Sequence, residues 1–269
     1  MLDDIVKNVI GARHAVLLSA DGLPRASTEG LTEKELSTIS TAMSGIQALS
    51  RATAPFVGSA PNAAWTQTII ELEHGWIFLI GAGQGAYLAA AAEPDVDMQQ
   101  ISYRMHRLVA RLGHNMTSAP RVDSPQSGRH GRQELAPGEE TAEVLSYLDH
   151  ALAEVHGARH AVLLGGDGLP RGATTGLPRD LADRISAAMT AIHANSRAAG
   201  QFAGPAATVV WRQTAIEFQH GWIVLIAAGD GALVAASADH DCNIEQLTAR
   251  LHEVEPKMAA AVGRMPGHV

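Results

Sequence analysis

Residues 65–92 read WTQTIIELEHGWIFLIGAGQGAYLAAAA, and residues 211–238 read WRQTAIEFQHGWIVLIAAGDGALVAASA without an insertion or deletion between them. Each carries W-x-Q-T, I-E, H-G-W-I, L-I and a glycine-rich A-G-x-G-A. The alignment extends outward: Gly11 matches Gly157, an offset of 146 residues that holds through Met116 and Val262. The chain is a tandem duplication. A period this long exceeds the roughly 20–50 residues of solenoid repeats, so each copy is expected to be a complete domain with its own core. The expected division is 1–116 for the first copy, 117–139 for a linker, 140–263 for the second copy and 264–269 for a flexible tail.

Within the quoted stretch, residues 65–72 and 76–80 read as strands separated by the Glu73-His74-Gly75 turn, and Gln84-Gly85 starts a return into a third strand at 87–92. Working outward, each copy opens with a helix: Leu2, Val6 and Val9 recur at spacings of three and four, as do Leu148, Leu152 and Val155. HAVLL follows, then Asp21-Gly22 or Asp167-Gly168 and a second short extended run, which together signal a hairpin. Pro24 and Pro170 belong at a strand start or on an edge, because proline cannot donate to a sheet ladder. A helix is expected from about 32 to 52, with Leu36, Ile39, Met43 and Ile46 as its apolar stripe; Ile185, Met189 and Ile192 match the last three. Beside it runs a ridge of small residues, Ser37, Ser40, Thr41, Ser44 and Ala48, matched by Asp183, Ser186, Ala187, Thr190 and Ala194. Small side chains at helical spacing permit close approach of another helix, which is the expectation here. A closing helix carries Met98, Ile101, Met105, Leu108 and Leu112, and its counterpart Ile244, Leu247, Leu251, Val254 and Met258, where Pro256 is expected to kink or shorten it.

The composition is that of a globular chain, 46% hydrophobic and 18% charged over 269 residues. A formal charge of −8 argues against nucleic acid or an anionic membrane as partner. Cys242 is the single cysteine, so neither an intrachain disulfide nor a cysteine-built zinc site is available. No apolar run reaches the roughly 18 residues of a membrane span and the first ten residues do not read as a signal peptide, so a cytoplasmic protein without membrane insertion is expected. Arginine heavily outnumbers lysine and alanine is abundant, as in chains from high-GC bacterial genomes. Residues 117–140 are rich in Ser, Pro, Gly and Arg and read as a disordered linker, whose ends would lie about 25–30 Å apart, enough for the two copies to reach each other.

The motifs do not assemble a reactive site. GAGQGA and AAGDGA lack the GK[ST] of a phosphate loop and the spacing of a dinucleotide fingerprint, and both are flanked by strands, so they read as hairpins. His14, His74, His160 and His220 recur in pairs without metal-ligand spacing, and His74 in a turn is expected to be solvated or bonded to backbone. No G-x-S-x-G occurs, and Asp21 and Asp167 are explained by their turns. Trp65 and Trp76 read as core or interface aromatics. No catalytic residue, metal or cofactor is expected, and binding is favoured over catalysis.

The order helix, hairpin, helix, three-strand meander, helix, with HAVLL-x-x-DGLPR, HGWI and the glycine turn, resembles the roadblock/dynein light-chain family, over about 2–116 and again 140–262. The resemblance implies an α/β fold (an α+β sandwich) of two tandem domains, each a five-stranded antiparallel sheet flanked by helices. It further implies pairing of domains through the first meander strand and the central helix, and service as a platform or regulator for Ras-like small GTPases, with an effect on GTP hydrolysis as one form. Familiar bacterial members are single domains that homodimerise. Here the two copies are expected to pair with each other, with another copy of the chain as the alternative. Ser40, Ser44, Trp65, Gln67 and Ile69, with Ser186, Thr190, Trp211, Gln213 and Ala215, are the expected pairing residues. Candidate contacts for a GTPase are Glu33, Lys34, Ser37, Gln47 and Arg51, with Arg179, Asp183, His193 and Arg197; of these, Arg51 and Arg197 read either as arginine fingers or, preferably, as helix C-terminal residues. A small-molecule sensor of PAS-like or profilin-like shape is the competing class.

Overall fold

The structure is a computed structural model describing residues 2–58, 64–83, 85–112, 139–204 and 208–262. The first copy runs α1 (Asp3–Asn8), β1 (Ala12–Ser19), β2 (Pro24–Ser27), α2 (Glu33–Ala52), a 3₁₀ turn (Ala54–Val57), β3 (Trp65–Leu72), β4 (Gly75–Gly81), β5 (Ala86–Ala92) and α3 (Met98–Leu112). The second repeats it as α4 (Glu139–Ala153), β6 (Ala158–Leu164), β7 (Pro170–Ala173), α5 (Arg179–Ala198), a 3₁₀ turn (Gly200–Phe202), β8 (Trp211–Phe218), β9 (Gly221–Ala227), β10 (Leu233–Asp239) and α6 (Ile244–Val262).

Each copy orders its strands β2-β1-β5-β4-β3 or the equivalent, and β3 pairs with β8, so the two sheets merge into one ten-stranded antiparallel sheet. One residue in two on β3 faces each side: Thr68, Ile70 and Leu72 are buried, whereas Gln67, Ile69 and Glu71 are half-buried on the opposite face. The buried side meets α2 and α5, and there a single core crosses the boundary between copies, holding Ile39, Met43, Ile46 and Phe56 together with Ile185, Met189, Ile192 and Phe202. The other side carries a separate core in each copy. Leu2, Ile5, Val9, Ile101, Met105 and Leu108 pack against the first sheet, and Val144, Leu148, Leu251 and Met258 against the second.

Local chemistry sets the element ends. α2 starts in a reciprocal capping box: the Glu35 N–H donates to Thr32 Oγ1 at 3.3 Å and the Thr32 N–H donates to Glu35 Oε2 at 2.7 Å. Between β1 and β2 the chain turns through four residues rather than two, with Gly22 at φ +81° beneath Ser44 of α2. Pro24 and Pro170 open β2 and β7, the two edge strands of the whole sheet.

Three expectations need correction. In α1 the inward residue is Ile5, not Val6, which is only half-buried. Pro256 does not shorten α6, which continues to Val262. The carbonyl that proline leaves without an i+4 donor is that of His252, and both residues lie on the exposed face, which is open to solvent. Glu139 is the first residue of α4 rather than the last of a linker; the rest of the expected linker, 117–138, and the tail 264–269 lie outside the described residues.

Candidate functional site: the seam between copies and the paired helix face

The β3–β8 register centres on one pair. Ile69 faces Ala215, its own counterpart 146 residues on, so a pseudo-twofold axis passes through this pair. Flanking it, Gln67 Nε2 donates to Glu217 Oε2 at 2.7 Å and Gln213 Nε2 donates to Glu71 Oε2 at 2.6 Å. Each bond is the image of the other, because Gln213 and Glu217 are the counterparts of Gln67 and Glu71. Trp65 and Trp211 each donate from Nε1 to a buried threonine on the same strand, Thr68 or Thr214, both at 2.9 Å. The Thr68 hydroxyl also lies 3.0 Å from that of Ser50, tying α2 to β3.

Further contacts join the copies around this seam. His74 Nε2–H donates to the Gly200 carbonyl at 2.9 Å, so the backbone partner of this turn histidine lies in the other copy. Arg13 and Arg159 form a second reciprocal pair. Arg13, beside Glu93, fills the space where a Gly204 side chain would stand, and Arg159, bonded to Asp239, does the same at Gly58. His14 stacks on Phe202 of the other copy with ring centroids 6.3 Å apart. Burial is the largest cause holding the His14 imidazole below its ordinary pKa, against the raising effect of its Glu29 backbone hydrogen bond.

On the helix side, α2 packs along α5, and at their crossing a side chain on Gly45 would meet the Asn195 amide at 3.1 Å. Gly45 and Asn195 meet at this crossing. Ser44 and Thr190, by contrast, turn toward Gly22 and Gly168 of their own hairpins, and Ser40 and Ser186 are buried. The small-residue ridge therefore divides: part packs under the hairpin, and Ser37, Thr41 and Ala48, with Asp183, Ala187 and Ala194, remain exposed as a smooth outer face.

Of the candidate partner contacts, Glu33, Lys34, Ser37 and Arg51 on α2 and Arg179, Asp183 and Arg197 on α5 are exposed. Gln47 and His193 are half-buried on the helix flanks. The His193 ring meets Trp211 edge-on at 4.5 Å, and burial, then Arg197, lowers its pKa. Arg51 and Arg197 both sit in the last helical turn. Glu71, Glu217, Arg13, Arg159, Gly45 and Asn195 escaped the sequence reading. The repeated Q-x-x-x-E spacing of β3 and β8 was the available signal, since it puts both polar groups on one strand face.

Among the described residues, no three His, Cys, Asp or Glu side chains gather closely enough to hold a metal ion, and no helix is long and apolar enough to cross a membrane. The family model of the Roadblock/LC7 domain matches residues 1–92 and again 146–238. The chain belongs to the Roadblock/LC7 family. Among solved structures, a Roadblock/LC7 domain from Streptomyces avermitilis is 25% identical with a TM-score of 0.34, covering 41% of this chain and 92% of its own. The gliding protein MglB from Thermus thermophilus is 17% identical with a TM-score of 0.42, covering 48% and 94%. MglC from Myxococcus xanthus is 12% identical with a TM-score of 0.30, covering 43% and 95%. No curated protein matches the chain. The tandem Roadblock/LC7 arrangement thus places in one chain two domains and the seam that joins them.

Proposed function

We propose that the protein is a non-enzymatic cytoplasmic regulator or scaffold that binds a Ras-like small GTPase across the α2/α5 face. The observation that carries this reading is that face itself: two 20-residue helices, one from each copy, lie side by side over a shared core. Their outer surface is lined mostly by short side chains, with Asp183 among them, and bounded by Glu33, Lys34, Arg51, Arg179 and Arg197. A rigid, short-side-chain surface with a charged rim is suited to docking a folded partner, because little side-chain entropy is lost there on binding. Membership of the Roadblock/LC7 family supports the class of partner. Arg51 and Arg197 stand at helix C-termini, where the helix dipole favours a cation, and this role accounts for both without an arginine finger.

The test is capture of partners from the native cytosol on the immobilised protein with GDP or a GTP analogue. A GTPase retained in one nucleotide state, and lost with the Thr41→Arg/Ala187→Arg variant at unchanged circular dichroism, is the expected result. Retention unaffected by that variant, or a co-purifying metabolite in place of a GTPase, overturns the reading.

A further inference from the structure

α3 and α6 occupy equivalent places in the two copies, yet their outer faces differ in a way the fold does not require. On α6 the charges of the middle turns are paired. Arg250 is ion-paired with Glu154 and Glu253, His252 Nδ1 lies 3.0 Å from Glu255, and Lys257 stands over the Tyr147 ring at 5.7 Å. On α3, MQQISYRMHRLVARL, there is no carboxylate at all. Among the described residues Arg104 is the one arginine of α3 with an ion pair, 3.5 Å from Asp4 of α1, and His106 Nδ1 lies 2.9 Å from the Ser102 carbonyl of its own helix. Arg107 and Arg111 are exposed, and among the described residues neither has an ion pair. One turn before Arg107, Tyr103 is 64% exposed, the most exposed large aromatic side chain of the described residues. Its counterpart on α6 is Ala249, while the counterparts of Arg107 and Arg111 are Glu253 and Lys257.

Tyr103, Arg107 and Arg111 follow one another at intervals of four, so they form a ridge about 12 Å long on one side of the helix, with His106 and Ala110 beside it. A helix dipole accounts for Arg111 near the C-terminus, but not for Arg107 or for the exposed ring. In a chain of net charge −8 this is a local reversal of sign. We propose that the outer face of α3 is a second docking surface, separate from α2/α5, for an acidic segment of a partner protein. Its carboxylates, spaced by one helical turn, pair with Arg107 and Arg111 while an apolar side chain covers Tyr103. Arginine offers bidentate geometry to carboxylates and tyrosine supplies a rigid apolar anchor with a polar tip, a pairing typical of protein recognition surfaces.

The probe is a fluorescein-labelled alanine-rich helical peptide with glutamates at every fourth position and one leucine, followed by anisotropy on the full chain at low ionic strength. Saturable binding is expected, weakened about tenfold or more by Arg107→Glu/Arg111→Glu, weakened by Tyr103→Ala, and left unchanged by Lys257→Glu on α6. All four positions are solvent-facing, so thermal melts should stay within a few degrees of the parent, the small loss coming from the Arg111 dipole contact and the Lys257–Tyr147 contact, and show that loss of binding is not loss of fold. Binding should also decline as salt rises toward about 0.2 M, where exposed charges are screened. No saturable binding, binding indifferent to the double reversal, or equal loss in the Lys257→Glu variant overturns the proposal. Tighter attachment to vesicles containing phosphatidylserine than to the peptide, abolished by the same reversal, overturns it in favour of a membrane surface.

Discussion

At the scale of single residues, the seam is held by side chains whose protonation matters. His14 reaches from β1 to Phe202 of the other copy; among the described residues its Nδ1 is buried without a hydrogen-bond partner, and the ring as a whole feels the Glu29 carbonyl, the Glu35 carboxylate and Arg13. Burial is the dominant influence and favours the neutral ring, so the folded pKa lies below the ordinary 6.5. His193 against Trp211 is shifted the same way, by burial and then by Arg197. For a base whose folded pKa is depressed, the unfolded chain binds the proton more readily. The stabilisation from the neutral ring is therefore fully present above 6.5 and is lost as pH falls below that value. Thermal melts between pH 7.5 and 5.5 should show a falling Tm, and the His14→Gln/His193→Gln double variant a flatter slope. An identical slope in parent and variant would assign the dependence to other groups. The reciprocal bonds of Gln67 with Glu217 and Gln213 with Glu71 belong to the same scale, and they fix register rather than merely adding attraction. A slip of one residue would turn these polar groups toward the core and Thr68 and Ile70 toward solvent.

At the scale of elements, the decisive contact is α2 on α5. Gly45 is not required there by its backbone, since it lies within a regular helix; it is required by proximity to Asn195. Gly45→Leu should force the helices apart, cost about 1–3 kcal/mol by overpacking, and weaken GTPase capture more than an equally destabilising change in the α4/α6 layer. Urea denaturation together with the capture assay separates the two effects, and loss of stability with capture intact would detach the helix face from function. The elements themselves were largely legible in the sequence. Alternation in WTQTIIEL gave β3 with its observed ends, and the three-four spacing of Ile39, Met43 and Ile46 gave the buried side of α2. The side of the helix that would meet its partner was not legible. Ser44 and Gly45 are adjacent and both small, and only the placement of the Gly22 hairpin decides that Ser44 goes beneath the turn and Gly45 meets the other copy. The long-range partners of Arg13 and His74 were equally out of reach, because they lie on segments of the other copy whose approach depends on the β3–β8 register.

At the scale of the whole molecule, duplication changes what a paired fold costs to assemble. When two identical chains pair, every complex must overcome the loss of translational freedom, and stability depends on concentration. With both copies in one chain, association is intramolecular, and sequence differences across the axis, Ile69 opposite Ala215 or Gly45 opposite Asn195, can be kept in fixed relation. The core on the α2/α5 side is common to both copies, and the sheet crosses from β3 to β8 without interruption. Ile46 and Ile70 of one copy and Ile192 and Ile216 of the other belong to that common core, all of them fully buried. The two copies should therefore unfold together. Calorimetry should give a single transition whose van't Hoff and calorimetric enthalpies agree, and Tm should stay constant over about a hundredfold dilution. Light scattering on dilute protein should return the 28.3 kDa of one chain. Two resolved transitions would mean that each copy is stable alone and the seam is weak. An obligate dimer with a Tm that falls on dilution would mean that β3 pairs with β8 of a neighbouring chain, so that the seam is completed only between molecules.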